Sequence, residues 1–264
     1  MFMARRWTKT EEENLRKELY RLYVTQNKTI GEIAKLLLIE QSSVHKRLIR
    51  LSIPITPEKK KKYLNKRTDI VIPKKKSKEL AEIIGILLGD GSLTHFQVVV
   101  TLGNKEYSYA EYVKCLMNNV FHADAKIGTR ETKYNDVYFG SVEVSSWLQD
   151  QGLVFNKVKD YVDIPGWIFS KDIYKKACLR GFFDTDGSVY KIRHGMQLSF
   201  TNYSVPLILS LRKMLFELEY TPSRLSSHKV YITRKEEIIR FFKEIKPKNI
   251  KHLQRFKTIN ASVV

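Results

Sequence analysis

The chain has 264 residues, 43% apolar and 28% charged, enough to bury a core and to divide into two or three units. Lys and Arg number 47 against 28 Asp and Glu, and a net charge of +19 points to a polyanionic partner, nucleic acid first. No apolar run approaches the ~18 residues of a spanning helix, MFMARRWTKT lacks the apolar core of a signal peptide, and Cys115 and Cys178 have no zinc or disulfide spacing around them. The expectation is a soluble intracellular protein, in a prokaryotic cytoplasm or nucleoid or in an organelle.

Residues 1–55 read as a small all-α unit. Thr10 with Glu13 has the form of a capping box, followed by Leu15, Leu19, Leu22 and Tyr23 at helical spacing. Thr29 with Glu32 opens a second helix carrying Ile30, Ile33, Ala34 and Leu37. A third begins near Gln41 or Ser42 and buries Val44, Leu48 and Leu51. Two short helices and a tight turn resemble a helix-turn-helix, which would present Gln41, Ser42, Ser43, His45, Lys46 and Arg50 to DNA. Two features depart from that pattern: no glycine stands near Leu38, where a positive φ is needed, and Ile49 falls on the outward face. Residues 56–78, with Pro57, the run Lys59, Lys60, Lys61, Lys62 and then Lys74, Lys75 and Lys76, read as a basic linker suited to a phosphate backbone.

Beyond residue 78 the chain repeats itself. ELAEIIGILLGDGSL (Glu79 to Leu93) and YKKACLRGFFDTDGSV (Tyr174 to Val189) share an apolar helix, a mid-helix glycine and a closing Asp-Gly-Ser. Strand-like Phe96 to Leu102 and Met196 to Thr201 follow, then helix-like Ser108 to Phe121 and Val205 to Leu218. Strand-like Val137 to Val144 and Lys229 to Thr233 come next, before helices holding Trp147 and Leu148, or Ile238, Phe241 and Phe242. The order predicts one α/β unit duplicated, over residues 79–170 and 171–264.

Gly85 and Gly181 would let the two apolar helices pack backbone to backbone, bringing Asp90 and Asp186 together at their ends. Adjacent carboxylates repel, and a divalent cation relieves them. Mg²⁺ suits oxygen ligands and substrate phosphates, with Mn²⁺ and Ca²⁺ as alternatives for the same site. In a basic protein this suggests metal-assisted phosphodiester hydrolysis.

The segments IIGILLGDG (Ile83 to Gly91) and LRGFFDTDG (Leu179 to Gly187) resemble the paired motifs of the LAGLIDADG homing endonucleases; the first has Leu88 where an acid is common. The resemblance spans about residues 79–257. It implies an α+β fold: a duplicated αββαββα core, pseudo-twofold, whose antiparallel sheets form a saddle over the DNA major groove. It also implies metal binding by Asp90 and Asp186 with the carbonyls of Gly89 and Thr185, and double-strand cleavage leaving short 3′ overhangs. Polar or basic residues around the attacking water would be Asn104, Asn202 and Lys157, with Lys251 or Lys248. Strand alternation offers His95 and Gln97, with Lys105 beside Asn104, and in the second half Lys191, Arg193, Gln197 and Ser199. Arg224, Ser226 and His228 would continue that face, and Arg130 would reach the DNA backbone from a loop.

These features lead to the expectation of a Mg²⁺-dependent, site-specific DNA endonuclease, monomeric, with a long asymmetric duplex target. The first Met and the final Val263-Val264 differ from an intein's ends, which suggests a free-standing or intron-encoded protein. The alternatives are a non-catalytic DNA-binding regulator on the same core, or a maturase that binds host intron RNA.

Overall fold

The structure is a computed structural model that describes residues 8–26, 28–55, 69–155, 157, 161–193 and 195–262. Pro57, Lys59, Lys60, Lys61 and Lys62 of the expected linker lie outside the described residues. The chain forms two units, Met1–Asn65 and Lys66–Val264.

In the first unit, α1 (Lys9–Tyr20) continues through a π turn, Arg21–Thr25, and is followed by α2 (Ile30–Leu36) and α3 (Gln41–Arg50). The α1 capping box is Thr8 with Glu11, not Thr10 with Glu13: Glu11 N donates to Thr8 Oγ1 at 3.2 Å, and Thr8 N to Glu11 Oε2 at 2.8 Å. Both pairs satisfy the T-x-x-E pattern, and the earlier one lengthens the helix by two residues. The second box is Thr29 with Glu32, as expected. Leu15, Leu19, Leu22, Tyr23, Ile33, Ala34, Val44 and Leu48 form the core of the unit. Leu38 takes the left-handed conformation at φ 53° without a glycine, and its side chain, 93% exposed, stays clear of the turn. Ile49 is exposed on α3.

The second unit is a mixed α+β structure with antiparallel sheets and, among the described residues, no closed barrel. Its first half runs α4 (Lys78–Gly89), β1 (Gly91–Leu93), β2 (Gln97–Gly103), α5 (Tyr107–Phe121), β3 (Lys126–Arg130), β4 (Tyr134–Gly140) and α6 (Val142–Asp150), with strand order β1-β2-β4-β3. The second half runs α7 (Asp172–Asp186), β5 (Gly187–Ile192), β6 (Gly195–Thr201), α8 (Val205–Glu217), β7 (Lys229–Ile232), α9 (Lys235–Glu244) and α10 (Ile250–Ser262), with strand order β5-β6-β7. Apolar residues of both halves share one core. Among the described residues no helix is long and apolar enough to cross a membrane.

Two expectations change. The strand read as Val137 to Val144 ends at Gly140, because Ser141 caps α6: Val144 N donates to its Oγ at 3.2 Å. In the second half the place of a fourth strand is held irregularly: among the described residues its sheet has three regular strands. The segment beside β7 pairs with it through the bridge Ser226↔Lys229 and through Ser223 N, which donates to Tyr231 O at 2.8 Å. Pro222 has no N–H to give to a ladder, and Tyr231 N donates to the Ser223 hydroxyl at 3.1 Å rather than to a strand carbonyl.

Helices α4 and α7 form the seam between the halves. A Cβ on Gly85 would overlap the Cys178 carbonyl oxygen, and one on Gly181 would overlap the Glu82 carbonyl oxygen and stand 2.9 Å from Ile86 N. Each glycine thus admits the backbone of the opposite helix. Leu80 to Gly89 are all buried, including Glu82, which pairs with Arg180 of α7 and accepts from Tyr112 Oη at 2.6 Å.

Candidate functional site

The two acids close the two seam helices. Asp90 is the C-cap of α4, and Asp186 ends α7. They are neighbours: a Cβ on Gly89 would lie 3.5 Å from Asp186 Cγ. Both are half-buried. Burial first, and then the Asp186 charge, pushes the Asp90 carboxyl up to about 6 against the pull of Lys251 and Lys157. Burial also raises Asp186, opposed by its hydrogen bond with Asn202 and by Lys157 and Lys251. Asn202 Nδ2 donates to Asp186 Oδ2 at 2.9 Å. Asp90 accepts no side-chain hydrogen bond among the described residues.

Lys157 extends its ammonium onto the end of α4, donating to the carbonyls of Leu87 and Leu88 at 3.3 Å each and to that of Gly89. A cation suits the negative end of a helix. Burial nevertheless holds this lysine below its usual range, against the attraction of Asp186 and Asp90. Lys251 contacts Glu106 Oε1 at 2.7 Å. Lys248, the other candidate, turns toward the Tyr112 ring at 5.9 Å. Thr185 donates its hydroxyl to the α7 carbonyls of Gly181 and Phe182 at 3.1 and 3.0 Å.

The strands correct several expectations. Asn104 is not a counterpart of Asn202 at the acids: its Nδ2 donates to Thr132 O at 2.9 Å. β1 pairs Gly91 with Val100, and β5 pairs Gly187 with Phe200, so the residue in register with Asn202 is the buried Leu102. Asn104 stands two residues further along the chain, just past the end of the longer strand and in the short helix that follows it, roughly 7 Å away. Lys191 faces the opposite side from Gln197, since it pairs with the buried Met196 while Gln197 pairs with Tyr190. A hairpin that joins Ile192 to Gly195 fixes that register. Arg193 lies in its turn.

His95 belongs to the β1–β2 turn, not a strand, with its ring 4.5 Å from that of Phe155. Gln97 does lie on the outer sheet face, and Lys105 is exposed in the short helix after β2. Ser199 is buried. Arg224, Ser226 and His228 are exposed on irregular chain, the His228 ring 5.3 Å from that of Tyr203. Arg130 ends β3 instead of sitting on a loop. In the helical unit Gln41, Ser42, His45 and Lys46 are exposed and Ser43 is half-buried, while Arg50 pairs with Glu12 at 3.2 Å.

Sequence reasoning missed the polar network behind the acids. Glu106 accepts from Gly103 N at 3.0 Å, from Asn249 Nδ2 at 2.6 Å and from Lys251. Burial alone would raise its carboxyl, but Lys251, Asn249 and Gly103 together take it below the usual range. Asp184 caps the chain entering α10, accepting from Lys248 N at 2.8 Å and Asn249 N at 3.1 Å, while burial pushes it up to about 7. The G-x-x-E spacing from Gly103 to Glu106 was the available signal for part of this network.

Comparison with known proteins follows the same division into halves. Residues 80–149 match the WhiA LAGLIDADG-like domain and residues 174–246 a LAGLIDADG-like domain. The chain belongs to the LAGLIDADG family. Among solved structures, the N-terminal LAGLIDADG domain of DUF199/WhiA is 18% identical with a TM-score of 0.48, covering 67% of this chain and 87% of that one. Mesophilic variants of the homing endonuclease I-DmoI are 16% identical at 0.46, covering 64% and 94%. Full-length DUF199/WhiA from Thermatoga maritima is 16% identical at 0.46, covering 74% of this chain and 63% of that one, so the chain spans less than two thirds of its length. No curated protein matches.

Proposed function

We propose that the protein is a divalent-metal-dependent endonuclease acting on a specific site in duplex DNA, with the paired carboxylates of Asp90 and Asp186 at its centre. The observation that carries this reading is the pair itself: two half-buried acids side by side at the ends of glycine-packed helices, both pushed toward the neutral form. Recognition alone needs no such pair.

Their oxygens, with the Gly89 and Thr185 carbonyls, would offer the hard donors that Mg²⁺ takes, and a dication would favour the charged form of two carboxyls that burial raises, Asp90 with the Asp186 charge added. Among the described residues no cluster of three or more His, Cys, Asp or Glu could hold a metal, so substrate phosphate would complete the ligand set. The chemistry such an ion supplies when bound is a more acidic water and neutralisation of phosphate charge. Asn202 orients Asp186, and the ammoniums of Lys157 and Lys251 set positive charge near the acids, where a scissile phosphate would lie.

A second reading, a DNA-binding regulator that does not cut, has its own observation. The Lys157 ammonium already sits on the Gly89 carbonyl, supplying by itself a cation at the end of α4. The match of the first half to the WhiA LAGLIDADG-like domain weighs for this reading.

A randomised duplex library incubated with Mg²⁺ and either wild type or Asp90→Asn/Asp186→Asn separates the two. Defined 3′ overhangs at one long site, made only by the wild type, are expected. If both proteins select the same sequence and neither cuts it, the regulator reading replaces the endonuclease.

A further inference from the structure

The outer face of the β1-β2-β4-β3 sheet presents Ser92, Gln97, Val99, Thr101, Lys126, Arg130, Tyr134 and Tyr138, and among these strands it carries one acid, Asp136. An acid on the face that a strongly basic protein would turn to a polyanion repels that partner unless it performs a task there.

Its contacts define the task. Thr101 Oγ1 donates to Asp136 Oδ1 at 2.6 Å, fixing the carboxylate from the β2 side. On the β3 side Asp136 faces Gly128, which has no side chain to intervene, and Arg130 leans diagonally across so that its Nε stands 3.3 Å from Asp136 Oδ2. The Tyr134 ring, 5.5 Å from the guanidinium carbon, supports the arginine from the neighbouring position on β4. Asp136 is 21% exposed and Arg130 58%: the carboxylate is the support and the guanidinium is what the surface presents. Because the ion pair engages Nε, both terminal nitrogens are left for a ligand. Arg130 borders a hollow of about 230 Å³ lined also by Gln97, Val99, Gly128, Asp136 and Tyr138.

We propose that Asp136 is a specificity-determining residue. It holds Arg130 so that the two terminal nitrogens read the O6 and N7 of one guanine in the major groove. Two parallel donors at fixed spacing are the geometry that discriminates guanine, and an arginine free to swing reaches a phosphate equally well. This inference rests on the sheet facing duplex DNA, which the endonuclease and regulator readings share, so it stands whether or not the protein cuts.

The test uses the full chain in Ca²⁺, without cleavage. The wild-type site is selected from a random duplex library, and each position is then scored with wild type, Asp136→Asn, Thr101→Val, Arg130→Ala and Asp136→Asn/Arg130→Ala. Wild type should prefer guanine at one position by about tenfold or more, the worth of one bidentate contact. Arg130→Ala removes the preference. Asp136→Asn lowers it to about threefold or less and leaves affinity for non-target duplex equal or tighter, because one negative charge is gone. Thr101→Val acts in the same direction, and the double variant matches Arg130→Ala. A merely structural Asp136 would lower the melting temperature and affinity for all sequences together, and that result overturns the proposal. So does a wild-type base profile in Asp136→Asn, or an equal loss from Asp136→Asn with and without Arg130. Wild-type protein that binds no duplex at all overturns the DNA-binding reading together with this inference.

Discussion

Replacing Gly85 by alanine tests the seam and the site at once. The new Cβ would overlap the Cys178 carbonyl oxygen and lie 2.9 Å from Cys178 C and 3.0 Å from Phe182 N, all backbone atoms of α7 that cannot rotate away. Carbon contacts settle near ~3.5–4.0 Å, so the helices must part by about 1 Å. Overpacking of this kind costs ~1–3 kcal/mol, and alanine returns about 1 kcal/mol in helix propensity. The net loss of up to about 2 kcal/mol corresponds to a melting temperature lower by up to about 8 °C in a domain of this size. Asp90 and Asp186 end the same two helices, and a displacement of about 1 Å at a reacting centre is worth ~10²-fold in rate. Calorimetry of the full chain and single-turnover cleavage of the selected duplex read the two effects. Gly166→Ala is the control, because nothing lies within 4 Å of its would-be Cβ. If Gly85→Ala melts with Gly166→Ala and cuts at its rate, the helices are not in backbone contact and the reasoning fails.

Asp184→Ala removes the carboxylate that accepts from two backbone N–H groups at the entry to α10, and by the worth of a lost cap it should lower stability by about 1–2 kcal/mol in urea; an unchanged midpoint would show the cap idle. Arg180→Met leaves the buried Glu82 carboxylate without its cation and should cost about 3–5 kcal/mol, whereas a loss below about 1 kcal/mol would contradict the ion pair. Burial holds the His252 imidazole down at about 3, so between that pH and 6.5 the unfolded chain binds a proton that the folded chain refuses. Its contribution therefore falls away as pH drops through that window, by up to about 1.4 kcal/mol per unit. His252→Phe, whose ring can keep the 4.7 Å contact with Phe183, should flatten the acid limb of stability against pH; parallel limbs would refute the assignment.

What was legible in the sequence is what local pattern encodes. The glycine helices and terminal acids of α4 and α7 are readable because helix period, mid-helix glycine and Asp-Gly turn sit within one short segment. Register is not so encoded. Asn104 and Asn202 look equivalent in chain order, yet β2 runs two residues longer past its pairing with β1 than β6 does past β5. Lys191 alternates with Gln197 on paper, but the hairpin between Ile192 and Gly195 assigns them to opposite faces. The Glu106–Asn249 contact joins residues 143 apart, beyond any local signal. Leu38 shows the converse: its sequence argued against a left-handed turn, and the turn forms because the side chain meets only solvent.

The reciprocal contact of Gly85 and Gly181 also bears on how such a molecule can be rebuilt. Main chain meets main chain there, so the join depends on two missing side chains and on the Glu82–Arg180 pair that crosses the same seam. A half from another protein of this fold, bearing glycine at the same height on its helix and a partner for that buried charge, would find the mating surface already made. Its own sheet would bring its own preferred bases. The interchangeable part of this chain is thus a whole half, with the glycine pair as its coupling.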